Sequence, residues 1–141
     1  MYLDSAYIAK FYVNEGDSRA VRELIRGANS LVSSAWAIGE VSCVLHRHTR
    51  KDKLTQRQFR ELLDAFLRHA EQGVWTFLPV TGRTLLRVAS LVRSAPAGVY
   101  LRAGDAVHLA AAMDAEEREI WTNDRHLLQA AEHFGLAGRS I

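Results

Sequence analysis

Four carboxylates of the 141-residue chain stand where chemistry could use them. Asp4 follows a strand-like Tyr2-Leu3, and Glu40 lies early in a long helical pattern. Asp105 opens an apolar helical run, and Asp124 follows the strand-like stretch from Glu119 to Thr122. A carboxylate between Leu3 and another helical pattern is costly to desolvate unless cations or donors stand beside it. Bringing several together raises their pKa values by mutual repulsion until positive charge enters. A divalent cation meets that need. Cys43 is the only cysteine and no His pair has zinc-like spacing, so the ligands would be oxygens and the ion Mg²⁺ or Mn²⁺. Such a site suits phosphodiester hydrolysis, in which metal ions lower the pKa of an attacking water, neutralise the phosphate and stabilise the leaving oxygen. Glu23, Glu61, Asp64, Glu71, Asp114, Glu116 and Glu117 lack a strand-end placement and read as solvated helix charges.

The elements that position these acids follow from periodicity and punctuation. Met1 to Asp4 reads as a short buried strand. Ile8, Phe11 and Tyr12 make a helix of 6–13, ended by Asn14-Glu15-Gly16. Asp17 caps a helix of 18–26, stopped by Gly27, and Ser30 to Ser33 is a second strand. Ser34 stands as N-cap of a helix from Trp36 to about Arg50, and Thr55 with Gln58 forms a capping box for the next helix, which ends at Gly73. Val74 to Val80, interrupted by Pro79, is a third strand of edge character. A helix through Leu85–Val92 precedes Pro96 and Gly98, and Gly104-Asp105 opens the buried helix of 106–113. After the fourth strand, Asp124 caps a helix of 125–133, and Gly135 ends it.

Strands alternating with helices predict a three-layer α/β domain, 1–141, with a mostly parallel central sheet of four or five strands covered by helices on both faces. In such sheets ligands gather beyond the carboxyl ends of the strands, which is where the four acids fall. Composition is in keeping with a single globular core: 48% hydrophobic, 24% charged, 2 Pro and 9 Gly. No apolar run approaches the length of a spanning helix and no leader pattern precedes Tyr2, so a cytoplasmic protein without membrane contact is expected. A lone cysteine fits a reducing compartment. The formal charge is +2, and arginine supplies all but Lys10, Lys51 and Lys53 of the 18 basic residues. Guanidinium groups are the better bidentate phosphate partners.

Four segments carry a resemblance over nearly the whole chain: Tyr2-Leu3-Asp4-Ser5-Ala6, Ala37-Ile38-Gly39-Glu40-Val41, Leu101 to Ala110 with its Asp-Ala-Val-His-Leu-Ala run, and Trp121-Thr122-Asn123-Asp124-Arg125-His126-Leu127-Leu128. In order and context they resemble the PIN domain, in particular the VapC toxins of prokaryotic toxin-antitoxin modules. The resemblance implies a PIN-like fold and a Mg²⁺- or Mn²⁺-dependent endoribonuclease that inhibits growth or translation. It implies Asp4, Glu40, Asp105 and Asp124 as the catalytic acids, with Asp4, Asp105 and Asp124 on the metal. Ser5, Thr122 and Asn123 would support them; the family's small hydroxyl residue near the first Asp is here Ser5, directly after Asp4, with Ala6 next. It further implies an RNA substrate, a VapB-like antitoxin and a homodimer. The antitoxin would seat an apolar segment among the helices that begin near Ala6, Asp17 and Trp36.

Arg102 and Arg125 are candidates for RNA phosphate contacts, with pairing to the nearby acids as the alternative. His108, one helical turn after Asp105, reads as a satisfied core histidine, and Cys43 as a small buried hydrophobe. Trp36 and Trp121 read as core or interface residues. A phosphatase or receiver-like α/β domain that uses a strand-end Asp would want a second acid near Asp4, where Ala6 stands, and no Walker loop occurs. Two other readings are a PIN-like RNA-processing nuclease outside any toxin-antitoxin module, and a catalytically silent RNA- or protein-binding module, which the presence of all four acids disfavours.

Overall fold

Consecutive residues of an extended strand face opposite sides of a sheet. In the computed structural model, which describes residues 1–141, Tyr2 and Leu3 accordingly head two separate apolar clusters. They form β1 (Tyr2–Leu3), the middle of a parallel sheet with β2 (Val32–Ser34), β3 (Thr76–Leu78), β4 (Glu119–Trp121) and β5 (Ala137–Arg139). The order is β3-β2-β1-β4-β5. Tyr2 pairs with Val32 on one side and Ile120 on the other.

The helices are α1 (Ser5–Tyr12), α2 (Ser18–Arg26), α3 (Trp36–Arg50), α4 (Gln56–Glu71), α5 (Gly82–Ser94), α6 (Ala103–Asp114) and α7 (Arg125–His133). Leu3 packs with Ile8, Val41, Leu45 and Phe66, so α1 to α4 cover one face. Tyr2 packs with Leu91, Leu109, Ile120 and Ala130, so α5 to α7 cover the other. The expected three-layer α/β architecture is present, with an all-parallel sheet of five strands. Burying a side chain such as Ile8 contributes about 1.5–3 kcal/mol, and β1 is buried on both faces because it supplies both layers.

Local signals account for most boundaries. Thr55 and Gln58 form the expected capping box, and Thr81 with Thr84 forms another. Gly73 and Gly135 take positive φ (74° and 84°) just past the C-termini of α4 and α7, as left-handed caps require. Two expected caps are absent. Ser34 ends β2, and α3 starts after Ala35 with no side-chain cap bond. Asp17 precedes α2 but caps nothing, because Lys10 Nζ and Asn123 Nδ2 both donate to its Oδ2 at 2.5 Å. The third strand is confined to Thr76–Leu78, ahead of Pro79.

The sheet order positions the site. The direction in which successive strands are added reverses between β1 and β4, and beyond their carboxyl ends the diverging connections leave a crevice. Asp4 follows β1 there and Asp124 follows β4 by three residues. No helix is long and apolar enough to cross a membrane.

The Asp17 contacts tie α1, α2 and the turn after β4 together at this crevice. Lys10 is buried, and its ammonium holds the Asp17 carboxyl below the usual range, with Asn123 adding to the effect. A carboxylate with a depressed pKa contributes stability above its unfolded range and loses it as pH falls through the folded value. Asp17→Asn is therefore expected to cost about 1–2 kcal/mol near pH 7. In urea unfolding curves the gap to wild type should narrow on acidification; a pH-independent gap contradicts the ion pair.

Candidate functional site

Asp4 ends β1 and caps α1 in one residue. Its backbone N–H donates to Trp121 O at 3.1 Å, its φ and ψ of −73° and 170° are extended, and its Oδ1 accepts from Tyr7 N–H at 2.8 Å. Its Oδ2 accepts from Thr122 Oγ1 at 2.5 Å. Only 6% of Asp4 is exposed. Burial pushes its carboxyl pKa up, against the pull of Thr122, the Tyr7 N–H, His108 and Lys10. Each Asp4 oxygen has one donor and lone-pair capacity to spare.

Thr122, fully buried, also accepts from the Asp124 N–H at 3.0 Å. One hydroxyl thus fixes Asp4 against Asp124. The Asp124 side chain caps α7 through Oδ1, accepting from the N–H groups of His126 (2.8 Å) and Leu127 (3.3 Å). Burial raises the Asp124 carboxyl, but these bonds and Arg102 outweigh it and hold the group below its usual range.

Glu40 enters the same cleft from α3. Ser5 Oγ donates to Glu40 Oε2, and His108 Nε2 lies 3.0 Å from that oxygen and 3.0 Å from Ser5 Oγ. On the core side, Tyr2 OH is 3.0 Å from His108 Nδ1. Burial pushes the Tyr2 hydroxyl up, so it keeps its proton and can donate to Nδ1. An ionised Glu40 can only accept, so the contact to its Oε2 calls for an N–H on Nε2, and Nδ1 of a neutral ring then accepts from the Tyr2 hydroxyl. Burial would raise the Glu40 carboxyl; bonds from His108, Ser5 and Trp36 prevail and hold it below the usual range. Its other oxygen occupies space that only glycine leaves open, since a Cβ at Gly104 would sit 2.6 Å from Glu40 Oε1.

Asp105 lies in the first turn of α6, which starts after Arg102 and leaves Asp105 inside the helix. Arg102 Nε donates to Asp105 Oδ2 at 2.9 Å, and Arg102 Nη2 donates to Asp124 Oδ2. Asp4, Glu40, Asp105 and Asp124 all line one open cleft of about 550 Å³. As arranged, no three acidic, His or Cys side chains stand close enough together to hold one ion. The donor chemistry nevertheless fits a hard divalent cation: the set is all oxygen, Asp4 is buried without an ion-pair partner, and a guanidinium bridges two of the others.

Arg102 pairs with two acids of the site, one of the two roles open to it, while Cys43 departs from the buried place expected of it. Arg125 is exposed, and its Nε points to His126 Nε2 at 3.4 Å. Asn123 reaches Asp17 and accepts from Tyr7 OH at 2.7 Å, bracing the turn beside the acids. Cys43 is exposed and lines the cleft, because it follows Glu40 by one turn of α3 while Val41 and Leu45 take the core side. Trp36 is exposed. His108 is buried at 2% as a core histidine would be, yet its Nε2 serves the site. Its place one turn after Asp105 was the available signal; nothing in the sequence pairs Gly104 with Glu40.

The acids converge beyond the switch point of an all-parallel α/β sheet, the place where open sheets of this kind bind ligands. The PIN domain family pattern matches residues 1–133, and the chain belongs to that family, whose members are generally nucleases. No curated protein matches the sequence. Among solved structures the chain is similar to VapC20 of Mycobacterium tuberculosis, a sarcin-ricin loop cleaving toxin, at TM-score 0.72 and 12% identity, covering 92% of this chain and 93% of that one. It is also similar to FitAcB from Neisseria gonorrhoeae, at TM-score 0.71 and 18% identity, covering 97% and 94%. At these identities the likeness is one of fold.

The geometry makes two predictions. An acid whose folded pKa is raised costs the native state stability once pH passes its unfolded range. Asp4→Asn should therefore raise the metal-free unfolding free energy near pH 7 by about 1 kcal/mol, the scale of one desolvated polar group. That gain should vanish in acid, where Asp4 is protonated in both states; a gain that persists there would show another cause. Gly104→Ala should push Glu40 off Ser5 and His108 and lower RNA cleavage by about 10- to 100-fold, the range for lost supporting contacts. Melting curves would show whether the fold is retained, and unchanged cleavage would refute the assigned packing.

Proposed function

We propose that the protein is a Mg²⁺- or Mn²⁺-dependent endoribonuclease, the VapC-type toxin of a toxin-antitoxin pair that inhibits growth or translation in the cytoplasm. The observation that carries this reading is the convergence of Asp4, Glu40, Asp105 and Asp124 on one cleft at the sheet's switch point. Membership of the PIN domain family supports it, as does a fold shared with a toxin that cleaves the sarcin-ricin loop.

Asp4, Asp105 and Asp124 are the residues that would hold the cation. When bound, it supplies charge neutralisation at the scissile phosphate and activation of the attacking water. The protein's own groups do the rest. Glu40 is ionised and fixed through Oε2 by Ser5 and His108, with Trp36 also bonded to it, which holds the carboxylate in place to orient the nucleophilic water. Thr122 keeps Asp4 in register with Asp124. The acids draw the cation, and the cation makes an acidic cleft acceptable to a polyanion.

A VapB-like antitoxin and a homodimer belong to the same reading. α5 presents exposed Leu85, Leu86 and Val92, apolar surface suited to a second polypeptide.

Purified protein should cleave RNA with Mg²⁺ or Mn²⁺ and lose that activity in excess EDTA. Asp4→Asn and Asp105→Asn should each reduce cleavage more than about 100-fold, beyond the effect of losing an outer partner, with the fold retained by circular dichroism. Cleavage that persists in EDTA or in both variants would overturn the assignment.

A further inference from the structure

Of the four acids, only Asp105 and Asp124 have an arginine or lysine partner, and it is the same residue, Arg102. The guanidinium reaches one acid three residues ahead and another across the fold, at the start of α7. It takes the Oδ2 atom of each, while Oδ1 of Asp124 is committed to capping α7. Arg102 is half exposed and lies on the wall of the cleft, on the segment just before α6. The guanidinium is open to solvent while Asp105 and Asp124 are 14% and 31% exposed, so a cation entering the cleft can compete with it for their oxygens. The arginine cannot shed its proton to leave, so a second cation claiming the same oxygens must repel it bodily.

We propose that Arg102 is an internal counter-cation that a divalent metal displaces from Asp105 and Asp124, and that the released guanidinium then takes a phosphate of the RNA strand in the same cleft. The inference rests on the metal-dependent nuclease reading and assigns its order of events. Before metal enters, the guanidinium neutralises two carboxylates that would otherwise repel each other, and no three acids are gathered for an ion. After metal enters, those carboxylates are neutralised by the ion and Arg102 is left charged and unpaired at the cleft wall. A guanidinium fork suits phosphate oxygens. Metal loading therefore creates the RNA contact, and the metal-free protein has little hold on RNA at this point.

Mn²⁺ titration calorimetry on the full chain tests the displacement. Arg102→Gln should bind Mn²⁺ about 2- to 30-fold more tightly than wild type, the range for removing its two competing ion pairs. Arg102→Lys, which keeps the charge but loses the fork, should fall between. Arg125→Gln, which removes a neighbouring charge that touches neither acid, should change affinity less than Arg102→Gln. In wild-type NMR spectra, Mg²⁺ should move the Arg102 Nε–H signal toward that of a free arginine.

For the second half, binding of an uncleavable 2′-O-methyl RNA oligonucleotide should be weaker in Arg102→Gln than in wild type with Mg²⁺ present, and equal without it. Equal Mn²⁺ affinity in wild type and Arg102→Gln, or an Arg102 signal unmoved by Mg²⁺, overturns the displacement alone. Equal RNA binding with Mg²⁺ present overturns the phosphate role. Absence of Mn²⁺ binding by both proteins overturns the nuclease reading and the proposal with it.

Discussion

The site depends on one desolvated carboxylate. Asp4 sits at the end of a strand buried on both faces, in the middle of the sheet, and 6% of it reaches solvent. A group in that position must be given donors. The structure gives it the Tyr7 N–H from the first turn of α1 and the Thr122 hydroxyl from beyond β4. The second of these bonds joins the first residues of the chain to its last third. Because Thr122 also receives the Asp124 N–H, satisfying Asp4 simultaneously places the second acid. Neither bond brings positive charge, so the carboxyl pKa stays raised and the cleft retains an electrostatic demand for a cation.

That demand is answered in different ways around the cleft. Glu40 is stabilised by dipoles and an imidazole, through Ser5 and a His108 that Tyr2 contacts from the core. Asp105 and Asp124 are stabilised by a full charge from Arg102. In the first, buried Ser5 and His108 fix the direction of a carboxylate that is itself 35% exposed. In the second, a half-exposed guanidinium holds carboxylates that are 14% and 31% exposed. The formal charge of +2 therefore describes an acidic cleft set in an arginine-rich surround. Such a distribution is the one that the proposed metal-dependent cleavage of RNA would use.

Much of this was legible in the sequence, and the parts that were not have physical reasons. The α/β layering followed from periodicity, and placement at strand ends (Asp4, Asp124) or early in helices (Glu40, Asp105) singled out the four acids that the cleft brings together. β5, with the sequence Ala137-Gly138-Arg139, has no apolar alternation and is an edge strand by virtue of pairing with β4 alone. Asp17 carried a cap signal, but an ammonium buried on the neighbouring helix outcompeted the helix N-terminus for its carboxylate. Cys43 looked like a core residue because its helix is amphipathic, whereas the cleft cuts into that helix at Glu40 and opens the next turn to solvent. Gly104 and Glu40, or Tyr2 and His108, meet only when α3, α6 and β1 are stacked, and no local pattern encodes such a contact.

The central claim is that these acids form a metal-holding rim around Asp4. Anomalous difference density from crystals of the wild-type protein grown with Mn²⁺ tests it most directly. The account predicts a peak in the cleft liganded by Asp4 and Asp124, with Asp105 at the ion directly or through water. A cleft without Mn²⁺ density at saturating metal, or an ion bound elsewhere while Asp4 keeps only its Tyr7 and Thr122 partners, would contradict it.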